Sequence, residues 1–133
     1  MDVQQLAADL AAEHAALDAI VEVLDPAQWA TATPSPGWTV ADQIGHLAYF
    51  DRTAVVAIED PDGFAGLRDA LFAAALGDPG AADDLTLAEA RSMTPTELLE
   101  HWRVGRAELL AAAAGLGDQE GAGHRHRHQG IDV

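Results

Sequence analysis

One histidine stands alone in an apolar helical stretch: His46, in VADQIGHLAYFD, residues 40–51. Imidazole is the commonest protein ligand of zinc, so His46 is the first residue here that could do chemistry. The competing reading is a packed core histidine. The other histidines are His14, His101 and the tail trio His124, His126 and His128. His14 falls on the apolar stripe of the first helical segment and reads as a core residue. His101, beside Trp102, reads as a residue on or near the solvent face of its helix. In the tail, HRHRH places three imidazoles on alternate residues, which share one side of an extended chain and can converge on a cation. A floppy His-rich end also binds nickel, copper or zinc weakly with no biological role, and the interleaved arginines repel cations.

Other chemistries are excluded or lack support. There are no cysteines, which removes disulfides, thiolate zinc sites and cysteine nucleophiles. Phosphate-loop, nucleophile-elbow and HExxH patterns are absent. Ser35 and Ser92, the only serines, sit in no nucleophile context. The neighbouring carboxylates Asp83-Asp84 and Asp60/Asp62 read as solvated turn residues.

Charge narrows the partners. Twenty-two acidic residues face seven basic ones, all arginine, for a net charge of −15. Such a field repels nucleic acid and anionic membrane surfaces. No signal peptide and no membrane-spanning run is visible, so a cytoplasmic protein is expected.

The elements that must position His46 are helical. Val3, Ala7, Leu10, Leu17, Val21 and Leu24 carry a helical stripe that ends at Asp25-Pro26. The connector AQWATATPSPGW, residues 27–38, should be extended and turned, anchored by Trp29 and Trp38. Thr39 is the N-cap of a second helix reaching about Glu59, with Ile44, Leu47, Ala48, Val55 and Ile58 inward and His46 on an edge shared with Phe50. A shorter helix over 64–76 and a helical stretch near 82–93 form an insert. Thr94, Pro95 and Glu97 make a capping box with proline at N1, starting a third long helix that runs to about Gly115. Leu98, Trp102, Leu109 and Ala113 should face inward. Residues 118–133 should be a disordered His-rich tail.

These residues also carry a resemblance. Trp29, then TPSPGWTVADQIGHLAYFD, then EDPDGF, together with TPTELLEHWRVGRAELLAAAAGL, resemble the actinobacterial metal-binding proteins related to the N-terminal domain of mycothiol-dependent maleylpyruvate isomerase, within the DinB-like four-helix-bundle superfamily. The likeness covers about residues 3–116. It implies an all-α, DinB-like bundle of three long helices and a short helical insert, forming an incomplete domain over 1–117. It also implies that His46 is a ligand of a divalent metal, usually zinc. Two further ligands are expected from a fourth helix, an acid and a histidine one turn apart. Mycothiol would then be a small-molecule thiol co-substrate of an isomerase or transferase.

Past Leu116 no fourth helix is recognised, so that helix is expected to be missing. The segment GDQEGAGHRHRHQ could be an out-of-frame reading of a family gene. Without the fourth helix an apolar groove stays open, and a homodimer could cover it. The alternative to a metal-binding domain is an inactive remnant or a helical interaction module.

Overall fold

A computed structural model describes the backbone of residues 2–78 and 80–131, and the side chains as far as residue 116. Six helices follow one another: α1 (Val3–Val21), α2 (Pro26–Trp29), α3 (Val40–Glu59), α4 (Pro61–Ala75), α5 (Ala81–Arg91) and α6 (Pro95–Ile131). Among the described residues there is no strand, only an isolated antiparallel bridge, Ala32 to Thr39, that closes the connector. No described helix is long and apolar enough to cross a membrane.

The helix starts obey local chemistry. Thr39 Oγ1 accepts from the Asp42 N–H, and Asp42 returns the bond to the Thr39 N–H. Thr94 and Glu97 do the same at the head of α6, at 3.2 and 3.0 Å. Each reciprocal pair satisfies donors that would otherwise be orphaned at the first turn. The connector is less extended than expected. Asp25 caps α2 rather than merely ending α1, and Gln28 completes a third capping box.

α6 is the hub. Both α1 and α3 pack along it, while α5 fills the other side of α3. Trp102 and Leu98 of α6 are fully buried against Ile44 and Ala48 of α3, Val21 of α1 and Trp29 of the connector. Leu47, expected inside, is 36% exposed, and Phe50 is 38% exposed. The buried stripe of α3 is centred on Ile44 and Ala48, one turn apart, which turns Leu47 to the edge of the packed face.

The α6 backbone stays helical to Ile131, where a disordered tail is expected from residue 118. No proline follows Pro95, so nothing sterically forces the helix to stop. The glycines along it each cost only about 1 kcal/mol. The side chains of the HRHRH run lie outside the described residues.

Gly45 is the one position where α3 depends on having no side chain. A Cβ there would sit 2.6 Å from Ala90 Cβ of α5. Replacing a helical glycine by alanine normally gains about 0.5–1 kcal/mol. Forcing two short, inflexible groups together costs about 1–3 kcal/mol. Gly45→Ala should therefore destabilise the fold by about 1 kcal/mol in chemical denaturation, and Ala90→Gly added to it should restore most of the loss. A stabilised single variant would contradict this packing.

Candidate functional site

His46 lies on the flank of α3 between two aromatic rings. Its imidazole centroid is 5.0 Å from Trp38 and 4.7 Å from Phe50. Trp38 is held from the other side by the insert, its indole Nε1 donating to Asp83 Oδ2 at 3.0 Å. The expected edge position is therefore what the helix provides, with the ring sandwiched rather than free. Its Nδ1 is buried with no hydrogen-bond partner. A zinc-bound histidine usually donates its second ring nitrogen to a carbonyl or carboxylate. Among the described residues no group of three or more His, Asp or Glu side chains could hold a metal ion. Among the described residues His46 therefore has neither that second-nitrogen partner nor companion ligands.

Asp42, which caps α3 and pairs with Arg91, precedes His46 by one turn; glutamate–histidine pairs at the same spacing are Glu97 with His101 and Glu120 with His124. The sequence reading overlooks both. Glu97 is committed to the Thr94 cap, which holds its carboxylate pKa below the ordinary value. His101 is only part-buried and faces Glu89 at 4.0 Å. The side chains of Glu120 and His124 lie outside the described residues. Asp83 and Asp84 are not turn residues but occupy the first turn of α5, where carboxylates favour the helix dipole.

A second group of polar residues lies inside the bundle. His14, Asp18 and Val21 share the buried face of α1. Asp18 receives Arg103 Nε at 2.8 Å and Nη2 at 2.7 Å, and Arg106 Nη2 at 2.7 Å. The Arg103 hydrogen bonds, helped by the charge of Arg106, hold the Asp18 carboxyl below its usual range. Arg106 also lies 4.5 Å above the Trp102 ring and donates to the His14 carbonyl at 3.4 Å. His14 stands edge-on to Trp102 with centroids 6.1 Å apart. Asp51 of α3 completes the group. Burial pushes its carboxyl pKa up, against the opposing pull of His14, Trp102 and Arg106. Asp42 has the reverse balance: burial raises it, but the Arg91 bond and the Thr39 N–H outweigh that and hold it low.

Sequence reasoning misses this interior network. One signal was available, since Asp18 lies four residues after His14 on the same helical face. Asp51, Arg103 and Arg106 give no comparable local sign.

Comparison with known proteins places the chain. The family model described as the mycothiol maleylpyruvate isomerase N-terminal domain matches residues 10–132. The chain belongs to this family. The chain is also 47% identical, over 112 residues, to an uncharacterized protein of Mycobacterium tuberculosis strain H37Rv, and equally to one of strain CDC 1551 / Oshkosh. These alignments cover 81% of the domain and 42% of each relative, so the chain spans well under half the length of the curated proteins it matches. No solved structure matches it. The family assignment accords with the all-helical, DinB-like architecture and with the association to mycothiol.

Proposed function

We propose that the isomerase-type domain binds a divalent metal, zinc by preference, with His46 as one ligand. In its complete form it would serve a thiol-dependent isomerase or transferase that uses mycothiol. The observation that carries this reading is the His46 ring itself. It lies off the packed stripe of α3, against Trp38 and Phe50 and beside the part-exposed Leu47. A core histidine would be packed against a neighbouring helix instead. Zinc needs further donors beside one imidazole, and among the described residues no second and third ligand stand with it. Bound zinc supplies an open position that lowers the pKa of a bound water or thiol. The domain's own contribution is to fix the imidazole between two rings and shield one face from water.

The measurement is metal content by elemental analysis of untagged protein purified without metal-affinity resin. Near-stoichiometric zinc is expected in the wild type, falling at least tenfold in His46→Ala. A metal-free wild type, or a His46→Ala protein that keeps its zinc, rules the reading out.

A second reading rests on a different observation. Leu47 and Phe50 present part-exposed apolar surface beside His46. In this reading the domain is a helical interaction module whose groove is covered by a second copy of the chain. A metal-free protein that sediments as a dimer, and as a monomer in Leu47→Glu, would favour it.

A further inference from the structure

Four helices, α3 to α6, surround a hollow whose walls include neither His46 nor Trp38 nor Phe50. On α3 the lining residues Gly45, Tyr49, Arg52 and Val56 recur at the three-to-four spacing and so share one side of the helix. Gly45 and Ala48 of that helix and Ala90 of α5 are buried there. Side chains this short fill little space. A cavity of about 170 Å³ remains beside them, bounded by Leu67 of α4 and His101 of α6. An apolar cavity of about 150 Å³ in another protein admits benzene, so this one has room for a single ring. Tyr49 supplies an aromatic wall against which such a ring can pack.

Charge narrows the ligand further. Acidic residues outnumber basic ones 22 to 7, so an arginine should find a carboxylate easily. Arg68, Arg91, Arg103 and Arg106 each have one within 3.4 Å. Arg52 has none among the described residues, and it stands exposed in the wall of the cavity. Glu89 of the same wall faces the His101 imidazole at 4.0 Å and is 70% exposed, so water screens its charge. An apolar hollow with an unspent guanidinium at its rim suits a ligand that is apolar at one end and anionic at the other. Guanidinium takes a carboxylate through two parallel hydrogen bonds. The negative charge of the whole chain opposes polyanions most and a single carboxylate least, and it fades over about 10 Å in ordinary salt.

We propose that the cavity between α3, α4, α5 and α6 binds a small aromatic monocarboxylate, with its ring against Ala48, Ala90 and Tyr49 and its carboxylate on Arg52. The site needs no metal and stands or falls apart from the reading of His46. It also gives the insert a role: α4 and α5 close a binding cavity on α3 as well as bracing that helix.

The test is titration of the full wild-type chain with benzoate at neutral pH and low salt, followed through amide proton–nitrogen NMR shifts. Saturable shifts are expected around Gly45, Ala48 and Ala90. Benzamide, the uncharged counterpart, should bind about tenfold more weakly, the worth of a charge-assisted hydrogen bond. Arg52→Gln changes an exposed, unpaired side chain, so it should remove that preference and leave the melting temperature unchanged. Glu89→Gln should leave benzoate binding as it is or strengthen it. No saturable shift with benzoate, or shifts centred on Trp38 and His46 instead, overturns the proposal. So does wild-type protein that takes benzamide or benzylamine as well as benzoate, a carboxylate preference that survives in Arg52→Gln, or loss of binding in a folded Glu89→Gln. The three probes on wild-type protein decide the matter even where a variant misfolds.

Discussion

Trp102→Ala should bring the domain close to the limit of folding. The ring is completely buried, at the point where α1 and α3 meet α6. Removing a large aromatic from such a position costs about 3–5 kcal/mol, the lost transfer energy plus an unfilled cavity. Small domains have only about 5–15 kcal/mol in total. The substitution also removes the platform beneath Arg106 and the edge contact of His14. In urea denaturation the midpoint should fall by half or more, with loss of near-ultraviolet dichroism at temperatures the wild type tolerates. Trp102→Phe, which keeps a ring in the slot, should cost markedly less. A loss below about 1 kcal/mol for the alanine variant would mean that this residue does not sit at the centre of the core.

The second large effect is electrostatic. Asp18→Asn keeps the shape of the side chain and removes the charge that Arg103 and Arg106 share. Breaking a buried ion pair from one side costs about 3–5 kcal/mol. Here about 2–4 kcal/mol is expected, because the Arg103 side chain is one-third exposed and water screens it. The pH dependence has a definite sign. The folded Asp18 carboxyl lies below its ordinary value of 3.8. Its stabilisation is therefore fully present above the ordinary value and drains away as pH falls through the depressed folded one. The gap between wild type and Asp18→Asn should be constant from about pH 6 down to about pH 5 and close progressively below pH 4. A gap that stays constant to pH 2 would show that the carboxylate charge is not what the arginines hold.

The Asp18 example shows what the sequence can and cannot reveal. Caps are local chemistry, so Thr39 and Thr94 announce their helices within four residues; both N-caps and the Thr94–Glu97 box are where expected, while the reciprocal Asp42 bond at Thr39 is an addition. Helical faces are nearly as legible: His14 on the apolar stripe and His46 on an edge both follow from a period of 3.6 residues. What periodicity leaves open is which neighbour a face meets. Arg103 reaches Asp18 across 85 positions of chain, and nothing near either residue names the other. For the same reason Leu47 reads as core although it lies at the edge of the packed face. The candidate site was legible as a single residue, His46. Its aromatic clamp was half visible, since Phe50 is one turn away while Trp38 arrives from the connector. Which other side chains stand near that ring is a question of tertiary neighbours, which a pattern on one helix does not contain.

The central position of α6 has a consequence for how the chain reaches its fold. α1 and α3 find their principal partner in a helix synthesised well after them, and the α1–α6 contacts close a loop of more than eighty residues. Closing long loops is entropically slow, and non-local contacts delay folding. On the ribosome the apolar stripes of the first two long helices must wait, uncovered, until the segment around Trp102 emerges. During that interval the nascent chain is a substrate for holding chaperones, and early termination of translation would release a polypeptide with its core surfaces open to aggregation.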